Sequence, residues 1–282
     1  MSTYLNPKKA YYSASTISQD TMFFNTNNYF IIFILSVISF ILSYIGASVG
    51  FVLGNIRLPL LVYALQSSTN AIGIATGTNL ATSAMGSFAG TYCHIREGRV
   101  NFRLLCAIGI PSGIGAFISM LAFARMKGDW VKILIGIVLL YSSFQVANAK
   151  KALKGENQRS ARQSLLLEIV IGIALGLLSG TVGLGLGSIR LPAMIRVLGI
   201  EPKDAIGTNL AINLITVSIG AATSILTFGV HLPLLLSLVP ATLLGSYFGA
   251  RSVKKIDSSK LRKFIAWAVG GTGTFMIVES LH

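Results

Sequence analysis

Gly46-Ala47-Ser48-Val49-Gly50-Phe51-Val52-Leu53-Gly54-Asn55-Ile56-Arg57-Leu58-Pro59 has a second version in the other half of the chain, Gly180-Thr181-Val182-Gly183-Leu184-Gly185-Leu186-Gly187-Ser188-Ile189-Arg190-Leu191-Pro192. Each interrupts a long apolar run with closely spaced glycines, then sets one arginine just ahead of a proline and a short second apolar run. Gly50, Gly54, Arg57 and Pro59 match Gly183, Gly187, Arg190 and Pro192 at a constant offset of 133. After a small change in spacing, Ala75-x-Gly77-Thr78-Asn79-Leu80-Ala81 matches Ala205-x-Gly207-Thr208-Asn209-Leu210-Ala211, and Gly90 matches Gly220. Such self-similarity marks a duplicated structural unit.

The solvent of that unit follows from composition. Of 282 residues, 53% are hydrophobic and 11% charged, against roughly 25% charged in a soluble domain. Several apolar runs approach or exceed the roughly 20 residues that cross a bilayer as a helix. A polytopic all-α membrane protein is expected, with the lipid bilayer as its surroundings. The net charge of +14 lies in short loops between apolar runs, which reads as a topology signal and not as a nucleic-acid surface. Cys93 and Cys106 form neither a disulfide framework nor a metal site.

Working outward, residues 1–28 are a polar tail with Lys8 and Lys9, lacking the apolar core of a signal peptide at the very start. Residues 29–149 form a first transmembrane repeat, 150–163 a basic linker, and 164–282 a second repeat. Each repeat should hold a glycine-broken helix hairpin, whose second arm is the short run after the arginine, followed by three transmembrane helices at 71–92, 104–124 and 131–149, and at 205–228, 232–250 and 264–278. Cytoplasmic loops collect Lys and Arg, which puts the linker, the loop at 251–263 and the loop at 93–103 inside. Gly229-Val230-His231, with no Lys or Arg, then lies outside. The span at 71–92 therefore runs inward and its match at 205–228 outward, so the repeats are expected to be inverted. Arg125, Lys127, Lys8 and Lys9 fall on the outer side in this scheme and fit it less well. Inverted repeats with broken helices are a plan of secondary transporters, with the site at the repeat interface.

The residues that bear on chemistry follow from the same pattern. Gly46-Gly50-Gly54 and Gly172-Gly176-Gly180 have the spacing that lets helix backbones approach closely. The cluster Gly180, Gly183, Gly185 and Gly187 is too dense for stable helix, so the backbone should unwind there. Pro59 and Pro192 suit the first turn of the short helices, where a missing N–H does no harm. That puts Arg57 and Arg190 at helix N-termini, where free N–H groups already favour an anion, and brings the two ends toward one centre. An arginine at membrane depth is a functional candidate; if the hairpin tips are shallow, both side chains instead snorkel to headgroups. Thr78, Asn79, Thr208 and Asn209, with Thr76, Ser83 and Asn213 nearby, serve either as interhelical glue or as a lining for the substrate cavity. Gly54, Asn55, Gly187 and Ser188, at the tips, complete the candidate substrate-binding set. No catalytic residue, metal site or cofactor is indicated: of nine acidic residues only Glu168 and Glu279 lie near apolar spans, and His94, His231 and His282 are placed in loops or at the terminus.

At the glycine stretches the sequence resembles the sulfite exporter TauE/SafE family of membrane permeases, over about residues 30–280. The resemblance implies an inner-membrane, multi-pass permease that carries small anions such as sulfite, sulfonates like sulfoacetate, or related oxyanions. An exporter working by alternating access around a central site is the expected function, with a small anion as partner and homo-oligomerisation left open. The alternatives are a passive anion channel and a non-transporting membrane enzyme or assembly factor.

Overall fold

The computed structural model describes residues 26–50, 53–66, 70–123, 128–147, 161–196, 198, 200–252 and eight positions between 267 and 278. Every regular element among them is helical. α1 (Thr26–Val49) ends at Gly50, whose φ of 96° reverses the chain, and α2 (Gly54–Ala64) carries Arg57. α3 spans Ala71–Arg96. α4 begins as Phe102–Leu104, widens through a π-helical turn at Leu105–Gly109 and continues as Ile110–Phe123. α5 spans Gly128–Ala147.

The same order then recurs. α6 (Ala161–Val182) ends at Gly183, with φ 67°, and α7 (Gly187–Arg196) carries Arg190. α8 (Pro202–Phe228) and α9 (Leu232–Arg251) follow, and helical residues reappear between 267 and 278. The breaks fall at glycine because a positive φ costs other residues a clash of Cβ with the backbone.

Among the described residues five helices are long and apolar enough to cross a membrane: Tyr29–Val49, Phe102–Ala122, Leu165–Val182, Asp204–Phe228 and Leu232–Arg251. The 26 residues of α3 reach about 39 Å at 1.5 Å per residue. Its sequence is richer in Gly, Ser, Thr and Asn, and nearly all of those side chains are buried. A helix surrounded by protein needs no continuous apolar surface.

α3 and α8 lie side by side and antiparallel. A Cβ on Gly90 would sit 3.1 Å from Leu210, and one on Gly220 would sit 3.3 Å from Leu80. Further along, Gly77 backs onto Ser224, and Gly207 onto His94. Each pair becomes the other when the two halves are exchanged. The same exchange relates the packing of α1 on α9 to that of α6 on α4, of α3 on α9 to α8 on α4, and of α2 on α3 to α7 on α8. Gly172, Gly176 and Gly180 make the α4–α6 contact close, a Cβ on Gly172 reaching the carbonyl oxygen of Ile108 at 2.6 Å. In the α1–α9 contact that task falls to Gly245 and Gly249, which face Phe40 and Tyr44. Gly50 and Gly54 instead back onto Ile206 and onto Asn79 and Ser83.

Several expectations move. Pro59 and Pro192 lie inside their helices, beyond the first turn, because α2 and α7 begin at Gly54 and Gly187. Proline has no N–H for the carbonyl four residues back, so the carbonyls of Asn55 and Ser188 lose their helical donor. The loop expected at 93–103 is shorter, as α3 continues to Arg96 and α4 starts at Phe102. His94 is consequently a buried residue of the last turn of α3. Most of the polar tail, most of the linker and the basic loop at 253–263 lie outside the described residues, as do Arg125 and Lys127.

Candidate functional site

Arg57 and Arg190 are each 1% exposed. Neither reaches a surface, so snorkelling does not account for them. α2 points Arg57 at α3, where Nε donates to Asn79 Oδ1 at 2.9 Å and Nη2 to the Asn79 carbonyl at 3.1 Å and to Ser83 Oγ at 2.6 Å. Nη1 donates to Thr242 Oγ1 of α9 at 3.3 Å. α7 points Arg190 at α8 in the same way: Nε donates to Asn209 Oδ1 at 2.8 Å, and Nη2 to the Asn209 carbonyl and Asn213 Oδ1, both at 3.4 Å. All of these acceptors are neutral. Among the described residues no carboxylate meets either guanidinium, so a positive charge there is not offset by a partner of opposite sign, in a medium where Coulomb forces are strong.

Asn79 and Asn209 also join the halves. Asn79 Nδ2 donates to the carbonyl of Gly183 at 3.1 Å, and Asn209 Nδ2 to that of Gly50 at 2.9 Å. Asn209 Nδ2 reaches the Gly187 carbonyl as well, at 3.0 Å. Thus each arginine is tied through an asparagine to the glycine break of the opposite half. Near the exchange centre the two helix tips meet: Asn55 Nδ2 donates to Ser188 Oγ at 3.3 Å, and Ser142 of α5 contacts both Ser188, through their hydroxyls, and Asn55.

The structure therefore gathers Arg57 with Asn79 and Gly54, Arg190 with Asn209 and Gly187, and Asn55 with Ser188. Along the α3–α8 pair, at 1.5 Å rise per residue, Asn79 and Asn209 stand about 18 Å apart, whereas Ser83 and Asn213, which the two Nη2 atoms reach, stand only about 6 Å apart. Thr78 and Thr208 face away from the arginines toward the helix ends, accepting from the backbone N–H of His231 at 3.1 Å and of Asn101 at 2.9 Å.

Thr242 and Ser142 were not singled out by sequence. The repeat held a signal for them, since their counterparts in the other half, Ser112 and Thr272, also carry hydroxyls. The buried carboxylate of Glu168 is engaged by Arg103 at 3.2 Å, away from both arginines of the site. Among the described residues no group of His, Cys, Asp and Glu could hold a metal ion.

The model of the family described as "Sulfite exporter TauE/SafE" matches residues 35–276. The chain is 27% identical to the probable membrane transporter protein YdhB of Bacillus subtilis, over 86% of this chain and 97% of the relative. It is 26% identical to the probable membrane transporter protein YunE of the same organism, over 81% and 90% of the two chains. A probable membrane transporter protein of Methanocaldococcus jannaschii, MJ0441, is 23% identical over 87% and 95%. No solved structure matches the chain.

Proposed function

We propose that this chain, which belongs to the sulfite exporter TauE/SafE family, is a secondary transporter of the cytoplasmic membrane that exports small anions such as sulfite or an organosulfonate. The observation that carries the reading is the pair of buried, exchange-related Arg–Asn units, Arg57 with Asn79 and Arg190 with Asn209. Two positive charges inside an apolar bundle, met among the described residues by neutral groups, attract an anion and repel a cation. The paired N–H donors of a guanidinium suit two oxygens of the pyramidal sulfite ion or of the tetrahedral sulfonate group.

The mechanism we infer is alternating access between two inverted repeats. The antiparallel course of α3 and α8 and the exchange of contacts between halves support it. Each Arg–Asn unit hangs on the glycine break of the other half, so rocking one half against the other loosens one unit while the other stays closed. An anion moves between the two units past Asn55, Ser142 and Ser188, exchanging with Asn79 and Asn209 as the partner of the guanidiniums.

Counterflow tests the reading. Proteoliposomes loaded with unlabelled sulfite or sulfoacetate should transiently accumulate the labelled anion above its equilibrium level. Equilibration without overshoot indicates a passive channel, and no movement of either anion overturns the substrate assignment.

A further inference from the structure

His94 is 0% exposed, and neither ring nitrogen has a hydrogen-bond partner among the described residues. An imidazole carries at least one N–H donor and one acceptor or a second donor, and burying both unmet is unfavourable. The cost is placed at a junction: His94 packs on Gly207 in the second turn of α8. Next to it the loop after α3 is latched to α8, the N–H of Asn101 donating to Thr208 Oγ1 at 2.9 Å. Exchanging the halves gives a second latch, His231 N–H to Thr78 Oγ1 at 3.1 Å. There the residue equivalent to His94 is Ser224, which cannot titrate and whose Oγ is likewise buried and without a partner. The two closures share a geometry but differ in the side chain packed on the glycine of the opposite helix, an imidazole at His94 and a hydroxyl at Ser224.

We propose that His94 is a proton-binding site that releases the latch on its own side of the membrane, the side of the loop at 97–101, and on that side alone. With neither ring nitrogen hydrogen-bonded among the described residues in the closed contact, an imidazolium is tolerated only when the loop lifts and water reaches the ring. His94 binds and releases its proton from the same side, so the proton gates the anion path and is not carried across.

His94 lies beyond the expected end of the span at Tyr92. Burial pushes its imidazole down to about 4; the positive charge of Arg99 adds to the shift and Glu97 opposes it. Arg99 and Glu97 are themselves paired at 2.6 Å. Elsewhere around this end, Asp204 lies in the first turn of α8, Arg96 on the last turn of α3 and Arg251 at the end of α9. A base held low in the closed form and near 6.5 when hydrated leaves the closed form intact above pH 6.5. It then favours opening progressively as pH falls from 6.5 toward 4, by about 30-fold at pH 5.

The proposal builds on the transporter reading, yet one arm of its test is independent of transport. Hydrogen exchange of the backbone amides at 97–104 is compared between wild type, His94→Ser and His94→Gln at matched pH, which cancels the intrinsic pH dependence. Wild type should exchange about 30-fold faster than either variant at pH 5 and equally fast at pH 7.5. A ratio that does not change with pH overturns the proposal. In proteoliposomes, acidifying the His94 side alone should raise wild-type anion flux, acidifying the other side should not, and an enclosed pH dye should report no proton moving with the anion. Equal responses from both sides, or stoichiometric proton movement, also overturn it. Absence of any anion flux counts against the transporter reading, while the exchange data still decide the role of His94.

Discussion

The side-chain amide of Asn79 donates to the carbonyl of Gly183 at 3.1 Å while its oxygen accepts from Arg57 at 2.9 Å. One neutral side chain thereby holds a buried cation and fastens one half of the protein to the point where the other half breaks. Asn209 repeats the arrangement between Arg190 and Gly50.

Asn79→Ala removes both bonds and leaves the Gly183 carbonyl buried without its donor, a loss of about 1–3 kcal/mol. Thermal unfolding in detergent should shift down by several degrees. Asn79→Asp keeps an acceptor for Arg57 but cancels its charge, so anion flux should drop at least tenfold even where the variant is folded. Undiminished flux in Asn79→Asp removes net positive charge from the account of the site.

Gly183 and Gly98 have nearly the same backbone, φ 67° and 68°, in different surroundings. A Cβ on Gly183 would meet Thr76 Oγ1 at 2.8 Å, whereas one on Gly98 meets nothing within 4 Å. Gly98→Ala should cost the left-handed conformation alone, about 1–2 kcal/mol. Gly183→Ala adds the displacement of α3 from the break and should be clearly less stable. Equal melting temperatures for the two variants contradict the tight packing of the glycine break against the opposite half.

The antiparallel course of α3 and α8 makes a prediction about sidedness. In a background with Cys93 and Cys106 replaced by serine, Glu97→Cys and Val230→Cys follow the C-terminal ends of the two helices. A membrane-impermeant thiol reagent applied to intact cells should label Val230→Cys, and should reach Glu97→Cys only after permeabilisation. Labelling of both from the same side refutes inverted repeats.

Much of the fold was legible because the duplication repeats residues whose physics is local. Gly50 and Gly183 mark the chain reversals, since only glycine adopts their φ without strain, and Gly172, Gly176 and Gly180 mark a close helix contact by their spacing. The starts of the short helices were misread. Proline suits a first turn, but the short helices begin five residues before it, at Gly54 and Gly187, leaving Pro59 and Pro192 inside. In the candidate site, Arg57 and Asn79 stood out because a cation and an amide are costly in an apolar span. Their pairing and the outward role of Thr78 and Thr208 depend on how the halves cross, which no local pattern encodes. His94 was placed in a loop because Arg96 and Arg99 resemble a helix end. The helix runs on through it, and the fold buries it against Gly207.

The central claim is that Arg57 and Arg190 carry the anion. Initial uptake of labelled sulfite or sulfoacetate into proteoliposomes, measured for wild type, Arg57→Ala and Arg190→Ala at matched amounts of folded protein, tests it most directly. Each substitution should lower the rate at least a hundredfold, consistent with the few kcal/mol lost when a charged hydrogen-bonding partner is removed from a buried site. Wild-type rates in both folded variants contradict it.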